Sequence, residues 1–171
     1  MEVMYRGTVY PWHCDQVGHM NIMWYVGKFD EANWNLFARI GLTPTYLRDQ
    51  GRGMAAVQQN ITYRRELVAG DIVEIRSALL EIGEKSIRFM HEMRNGETGE
   101  LAASCEISGV HMDRQARKSV MFTDAVRRSA AKQYRQCRGR DGLRRGSRAE
   151  NLAPGIPGRA MPRFEPSPAA R

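Results

Sequence analysis

The sequence has few cysteines and no long apolar run. Its three cysteines, Cys14, Cys105 and Cys137, form no C-x-x-C pair, which argues against the disulfide framework of a small secreted protein and favours a reducing compartment. No apolar stretch approaches the roughly 20 residues needed to span a bilayer. Residues 1–12 alternate and carry charge, unlike a signal peptide. These absences predict a soluble cytoplasmic protein.

The sequence also lacks the common fingerprints of nucleotide and metal sites. Neither G-x-G-x-x-G nor G-x-x-x-x-G-K-[ST] occurs, and there is no H-E-x-x-H. His13, Cys14, Asp15 and His19 lie close together in sequence, but their spacing matches no usual set of metal ligands. We therefore predict neither a metal ion nor a redox cofactor.

Positive charge is concentrated at the end of the chain. Residues 1–124 carry 14 Lys and Arg against 16 Asp and Glu, whereas residues 125–171 carry 12 against three. From about residue 136 the sequence is rich in Arg, Gly and Pro and poor in large apolar residues, so it buries too little surface to offset its ordering entropy. We predict one folded domain over residues 1–135 and a basic tail over residues 136–171 that is disordered or loosely attached.

Nucleic-acid contact by this tail is not expected. Specific binding of single strands usually relies on aromatic residues interleaved with basic ones. The end of the chain has only Tyr134 and Phe164, so its charge is better explained as non-specific.

The central element of the sequence is an amphipathic helix predicted from Ile22 to Ile40. Asn21 is placed to cap its first amides, and Gly41 with Pro44 stops it. Its apolar residues recur with the helical period of 3.6, at Ile22, Val26, Phe29, Leu36, Phe37 and Ile40, with Met23, Tyr25 and Ala32 widening the stripe. Such a stripe requires a partner along its length.

Most of the remaining sequence up to residue 112 has the pattern of β-strands. Residues 3–12 predict a first strand, a short helix capped by Thr43 follows the long one, and several alternating segments then succeed one another between turn signals. Thr123 can cap a final helix. One strand, one dominant helix and a series of hairpin-linked strands predict an α+β fold, in which an antiparallel sheet packs on the long helix.

Asp15 is the strongest candidate for a catalytic residue. It lies in a polar bend seven residues before Ile22, where the bend can hold its carboxylate near the N-terminus of the predicted helix. The unpaired amides and positive dipole end of a helix favour a developing oxyanion. A carboxylate facing a carbonyl held in this way suits acyl transfer, either as nucleophile or as base for a water. A purely structural role in the turn would explain the same spacing.

His19 and Cys14 are secondary candidates in the same bend. His19 lies four residues after Asp15, where it could reach the carboxylate or the substrate. Cys14 has no evident neighbour that would activate it, and a small semi-buried side chain is the simpler interpretation.

The segment Asp15–Tyr25 resembles the hotdog-fold acyl-CoA thioesterases of the 4-hydroxybenzoyl-CoA thioesterase type. The shared pattern is D-x-x-G-H-x-N, followed closely by a tyrosine, and further matches are Y-R-R-E-L-V-A-G-D at 63–71 and R-K-S-V-M-F-T-D at 117–124. The resemblance covers about residues 5–130. It implies a long central helix wrapped by a curved antiparallel sheet of about five strands, assembled into homodimers or homotetramers.

The resemblance also implies a function. The catalytic aspartate of the family falls on Asp15, and the backbone amide that polarises the thioester carbonyl falls near Ile22. We therefore expect hydrolysis of an acyl-CoA to a carboxylic acid and coenzyme A, in a cleft at a subunit interface. The coenzyme A phosphates would lie near surface basic residues; the sequence offers Arg64, Arg65, Arg88 and Lys118 without deciding among them.

One alternative of a different class remains. The same scaffold could bind acyl-CoA or an acyl carrier without catalysis, although an aspartate in the expected bend speaks against this. The sequence does not determine the acyl group, or whether Asp15 acts as nucleophile or base.

Overall fold

The computed structural model describes residues 1–133. Its elements are β1 (Glu2–Thr8), a 3-10 turn (Pro11–His13), α1 (Ile22–Arg39), α2 (Pro44–Asp49), β2 (Arg52–Tyr63), β3 (Ile72–Ile82), β4 (Ser86–Asn95), β5 (Leu101–Asp113) and β6 (Lys118–Ser119). Residues 124–133 are helical, as expected after the Thr123 cap. The predicted tail, residues 136–171, lies outside the described part of the chain.

The sheet is antiparallel throughout, with the strand order β1-β3-β4-β5-β2 and the short β6 paired with β5. The five long strands curl into a half-barrel, and α1 contacts β1, β3 and β4. The predicted α+β hotdog architecture of about five strands is confirmed. The first strand is shorter than predicted, because the chain turns at Pro11 before it reaches the bend around Asp15.

Local cap signals determine where α1 begins and ends. The Asn21 side chain accepts a hydrogen bond from the Met23 amide at 3.0 Å, which pairs one of the amides that a helix start leaves open. At the other end Gly41 takes a φ of 93°, a left-handed conformation that glycine adopts at little cost. Both predicted ends are therefore correct to within one residue.

The apolar stripe of α1 is buried under the sheet from Phe29 onward. Phe29, Ala32 and Leu36 are fully buried, and Phe37 meets Phe89 of β4 edge to face at 5.6 Å between ring centres. The prediction is wrong for three residues near the start of the stripe, because Ile22, Met23 and Val26 are 64%, 62% and 40% exposed, whereas Tyr25 is buried as predicted. Ile22 lies on the stripe, but at the N-terminal end of the helix the stripe faces a cleft and not the core.

A buried polar chain fixes α1 against the sheet. His91 of β4 is fully buried; its Nδ1 lies 2.6 Å from the Ser77 hydroxyl and its Nε2 lies 2.7 Å from Asn33 Oδ1. Since an amide oxygen only accepts hydrogen bonds, Nε2 carries the proton and Nδ1 accepts from Ser77. Burial lowers the pKa of His91 to about 3, so the ring is neutral around pH 7.

Lys28 is a second buried polar residue on α1, and sequence reasoning missed it. Its side chain is almost fully buried, and its ammonium donates to the Thr8 carbonyl at 3.2 Å and to the Tyr5 hydroxyl at 3.3 Å. Burial lowers its pKa from the usual lysine value. These contacts tie α1 to β1, the strand that leads into the Asp15 bend.

Candidate active site

A tight loop holds Asp15. Cys14 and Met20 form an antiparallel bridge at its base. Within it the Asp15 amide donates to the His19 carbonyl at 3.1 Å, and the Gly18 amide donates to the Asp15 carbonyl at 3.0 Å. Gly18 has a φ of 93°, which the reversal of the chain requires. The loop is therefore fixed by its own backbone.

The Asp15 carboxylate is oriented by two donors. The Val17 amide donates to Oδ1 at 2.9 Å, and the Asn21 side-chain amide donates to Oδ2 at 3.1 Å. These bonds, led by that from Val17, lower the pKa of Asp15 below its usual value. The carboxylate is thus ionised at neutral pH, the form that either a nucleophile or a base requires.

Asn21 connects this carboxylate to the start of α1. Its Nδ2 donates to Asp15 while its Oδ1 accepts from the Met23 amide. Its own backbone amide donates to the His13 carbonyl at 2.9 Å. The sequence predicted the cap but not the bond to Asp15, because nothing in a six-residue spacing shows which side chains converge across a loop.

The amide of Ile22 is available to a ligand. Among residues 1–133 it makes no hydrogen bond, whereas the next two amides of α1 are paired with Asn21. It belongs to the N-terminus of an 18-residue helix, where the helix dipole favours negative charge. An oxygen with developing negative charge would find here a donor of the right kind.

A cleft of about 230 Å³ opens beside this helix start. His19 and Ile22 line this cleft, together with residues from the end of β2 and the segment after it, Tyr63, Arg64, Arg65 and Glu66. The structure therefore brings His19 and Ile22 to one cleft. Asp15 is not among its lining residues and lies in the adjoining loop, joined to the helix start through Asn21.

Tyr25 and Tyr63 also line the cleft, and sequence reasoning gave neither of them a part in the site. The Tyr25 hydroxyl donates to the Arg65 carbonyl at 3.3 Å, and its ring meets Tyr63 edge to face at 5.2 Å. Burial raises the pKa of Tyr25 to about 12, so the phenol stays protonated and keeps donating. His19 Nε2 lies 3.9 Å from a carboxylate oxygen of Glu66, another residue that lines the cleft.

Comparison with known proteins identifies the family. The model of the family described as "Thioesterase-like superfamily" matches residues 9–129, well over half of the chain. The chain belongs to the thioesterase-like superfamily. The resemblance seen in the sequence is thereby confirmed at the level of the family.

Two proteins whose names include betainyl-CoA thioesterase are similar to this chain in sequence. The L-carnitine dehydrogenase/betainyl-CoA thioesterase of Agrobacterium fabrum is 30% identical over 115 residues, which are 67% of this chain and 23% of that protein. The betainyl-CoA thioesterase of Pseudomonas aeruginosa is 25% identical over 122 residues, 71% of this chain and 77% of that protein. The chain thus spans less than a quarter of the first relative.

A solved structure has a fold similar to that of this chain. A Staphylococcus aureus protein described as hypothetical and solved in complex with CoA has a TM-score of 0.73 at 18% identity, over 78% of this chain and 85% of that one.

Within residues 1–133 no helix is long and apolar enough to cross a membrane. In the same range no three His, Cys, Asp or Glu residues are grouped so as to hold a metal ion.

Proposed function

We propose that the chain hydrolyses an acyl-CoA thioester to a carboxylic acid and coenzyme A. The observation that carries this proposal is the placement of the ionised Asp15 carboxylate by Asn21, next to a helix start whose Ile22 amide is unpaired within the described chain. Support also comes from the family, from relatives named betainyl-CoA thioesterases, and from a similar fold solved with CoA.

In this proposal Asp15 acts on the thioester carbonyl, and the Ile22 amide receives its oxygen. As a nucleophile, the carboxylate attacks the carbonyl carbon, the C–S bond breaks, the thiolate leaves and takes up a proton, and water then cleaves the mixed anhydride. As a base, Asp15 takes a proton from the water that attacks directly. In both routes the amide and the helix dipole stabilise the oxyanion. His19, at the cleft, is proposed to contact the bound substrate.

Release of free thiol from a panel of acyl-CoAs tests this function. The panel contains benzoyl, hydroxybenzoyl, phenylacetyl, betainyl and straight-chain acyl groups. We expect turnover of at least one of them. A folded protein that binds several without turning over any would instead support an acyl-CoA or acyl-carrier binding module.

Isotope labelling of the Asp15 carboxylate would rule out the pure base route. In a single turnover in ¹⁸O water, the anhydride route transfers label into the Asp15 carboxylate when water attacks on the aspartyl side, whereas the base route leaves this carboxylate unlabelled. Mass spectrometry of the peptide containing Asp15 provides the readout.

An aromatic patch next to the Asp15 loop suits a cationic acyl group. Tyr10 and Trp12 stack with 4.5 Å between ring centres and are 47% and 66% exposed, and His13 packs against Trp24 at 4.3 Å. The face of a tryptophan attracts a quaternary ammonium group by about 1–2 kcal/mol. We propose that this aromatic patch receives the acyl end of a substrate such as betainyl-CoA.

We expect Trp12→Leu to lower kcat/KM for betainyl-CoA by about 5-fold to 30-fold, the equivalent of ~1–2 kcal/mol. The matched substrate is 3,3-dimethylbutanoyl-CoA, in which carbon replaces the quaternary nitrogen without changing its shape. Its kcat/KM should change less than about 3-fold, because the cation–π attraction is absent. Equal losses on both substrates would mean that Trp12 provides packing only.

We also propose that β2 joins two copies of the chain. In the described chain β2 is an edge strand, 12 residues long and exposed through its centre, where Val57 is 64% exposed. A long exposed edge is a template for pairing with another strand. A second copy can satisfy it by antiparallel pairing of β2 with itself, which yields a symmetric dimer.

Val57→Glu is expected to weaken this dimer at least about 10-fold. Near the twofold axis the substitution places two like charges close together, which opposes pairing. Analytical ultracentrifugation over a concentration series gives the dissociation constant. Val68→Glu, at an exposed position outside β2, is the matched control and should leave the dimer intact. A wild type that sediments as an active monomer would contradict the proposal.

A further inference from the structure

His13 contributes a buried ring next to the two exposed rings of the aromatic patch. Only 7% of the residue is exposed, and its imidazole meets Tyr10 and Trp12 edge to face, with 5.6 and 5.8 Å between ring centres. The imidazole also packs against Trp24 of α1 at 4.3 Å. One buried ring therefore contacts both exposed rings of the patch and the helix beside them.

The same imidazole closes the turn that carries the patch. The Tyr10 amide donates to His13 Nδ1 at 3.1 Å, and the His13 amide donates in return to the Tyr10 carbonyl at 2.8 Å. Pro11 lies between them, and its fixed φ suits the first position of this 3-10 turn. Because Nδ1 accepts a hydrogen bond, the ring proton lies on Nε2. The turn thus uses one tautomer of one ring.

The surroundings of His13 favour the neutral imidazole. Burial is the main cause that lowers its pKa, and the positive charge of Lys28 acts in the same direction, while Glu31 opposes them. Both charged residues belong to α1. The ring is therefore neutral around pH 7, and Nδ1 stays free to accept from the Tyr10 amide.

The backbone of His13 connects the patch to the reactive carboxylate. Its carbonyl accepts from the Asn21 amide at 2.9 Å, and the Asn21 side chain holds Asp15. The Asp15 loop is fixed by its own backbone bonds and by Asn21. Loss of the imidazole alone should therefore release the aromatic patch and leave the carboxylate in place.

The orientation of the patch matters because its two rings are so exposed. Tyr10 and Trp12 are 47% and 66% exposed, so contact with a buried ring restricts side chains that would otherwise turn in solvent. A cation is attracted to the face of an aromatic ring and not to its edge. A ring that is already held in place also avoids the cost of being ordered when the ligand binds.

We infer that His13 is a positioning residue for substrate selection, which holds Tyr10 and Trp12 in the orientation that receives a quaternary ammonium acyl group. This inference rests on the proposed hydrolysis and on the proposed role of the aromatic patch. In the sequence His13 stood out only as one of four residues grouped around Asp15. A bond from a backbone amide to a ring nitrogen three residues later leaves no periodic pattern that would predict it.

The first test compares His13→Leu with His13→Asn on betainyl-CoA and 3,3-dimethylbutanoyl-CoA. Leucine fills a similar volume but cannot accept from the Tyr10 amide, whereas Oδ1 of asparagine can take the place of Nδ1. His13→Leu should lower kcat/KM at least about 5-fold for betainyl-CoA and less than about 3-fold for its neutral analogue. His13→Asn should keep the ratio of the two kcat/KM values within about 2-fold of the wild-type ratio.

The ratio of the two substrates decides between positioning and general support. Equal losses on both would mean that His13 stabilises the Asp15 loop or the fold, and would overturn the inference. A wild-type ratio in His13→Leu, or an equal loss of the ratio in His13→Asn, would overturn it as well. His111→Leu removes a buried imidazole from β5; it is the matched control and should leave the ratio unchanged.

A double substitution shows whether His13 acts through Trp12. Residues that act as one unit have non-additive effects. Trp12→Leu combined with His13→Leu should therefore lose no more kcat/KM for betainyl-CoA, within about 2-fold, than Trp12→Leu alone. Losses that multiply would mean that His13 acts independently of the patch, which would refute the positioning role.

NMR of the wild type tests the inference without turnover, so its failure can be told apart from failure of the proposed function. Long-range ¹H–¹⁵N correlations at about pH 7.5 report the tautomer of each imidazole. His13 should carry its proton on Nε2. His111 is the internal reference for the opposite tautomer, because its Nδ1 lies 3.2 Å from the Val120 and Met121 carbonyl oxygens, which only accept. A proton on Nδ1 of His13 would overturn the inference even in an active enzyme.

Titration with tetramethylammonium chloride tests the patch directly. The indole signal of Trp12, identified by its absence from Trp12→Leu, should shift saturably in the wild type and in His13→Asn. His13→Leu should need at least about 5-fold more of the ion, and sodium chloride at equal ionic strength should produce no such shift. Equal titrations of the wild type and His13→Leu, or no response of the wild type, would refute the inference even in a protein that hydrolyses nothing.

Discussion

Replacing Asp15 with Asn is expected to lower kcat for acyl-CoA hydrolysis at least about 100-fold, the usual scale for the loss of an acid–base group. The substitution keeps the size of the side chain and an oxygen that can accept from the Val17 amide. It removes the charge that attacks the carbonyl or takes the proton from water. Steady-state thiol release from the best substrate of the panel measures the effect, and thermal unfolding shows whether the loop survives.

The control and the pH profile make this prediction specific. Asp124→Asn, at an exposed position in the first turn of the last described helix, should leave kcat unchanged. Since hydrogen bonds lower the pKa of Asp15, the acidic limb of the wild-type profile should lie below the ordinary aspartate range. A folded Asp15→Asn protein with wild-type turnover would refute the mechanism while leaving the fold unaffected.

Acidification is expected to destabilise the protein through His91. The pKa of about 3 in the folded protein lies below the ordinary histidine pKa of about 6.5, so the unfolded chain takes up a proton that the folded chain excludes. The stabilisation is fully present above about pH 6.5 and is lost as pH falls from there towards about 3. Each pH unit in that window costs about 1.4 kcal/mol of unfolding free energy.

Urea unfolding of the wild type and of His91→Gln at about pH 7.5, 6.0 and 4.5 measures this effect. The glutamine can still offer a donor to Asn33 and an acceptor to Ser77, but it does not titrate. Between pH 6.0 and 4.5 the unfolding free energy of the wild type should fall by roughly 2 kcal/mol more than that of His91→Gln. Some slope remains, because burial also lowers the pKa values of His13 and His111.

Protein concentration must be held constant in these titrations, because dissociation of a dimer would make the measured unfolding free energy depend on concentration as well as on pH. Parallel slopes for the wild type and His91→Gln would mean that His91 is hydrated, or protonated, in the folded protein.

Signals local in sequence predicted the architecture. The periodicity of α1, the caps at Asn21 and Thr43, and the alternation that places His91 on the inner face of β4 are all set by near neighbours along the chain. The family followed from a short motif, and the match over residues 9–129 confirms it. These features depend on backbone periodicity and capping, which few residues determine.

Features that depend on distant contacts could not be predicted. In the sequence, Lys28 looks like a helix residue that faces solvent. The hydrogen-bond acceptors for its ammonium group come only from β1, which packs against the helix in the folded protein. The exposure of Met23 depends on which elements pack around the start of α1, which no helical pattern records. The roles of Asp15, His19 and the Ile22 amide stay predictions: the structure puts them at one end of α1, and activity measurements must decide them.

The double use of Asn21 has a consequence for the tolerance of the site to thermal motion. Its side chain holds the Asp15 carboxylate with one atom and the first turn of α1 with another. When the helix shifts along its axis, the loop is carried with it, so the reactive oxygen and the Ile22 amide move in a common frame of reference. The distance between the Asp15 oxygen and the Ile22 amide should therefore fluctuate less than the position of either group relative to the sheet. The two groups can keep their relative geometry while α1 and the sheet move with respect to each other.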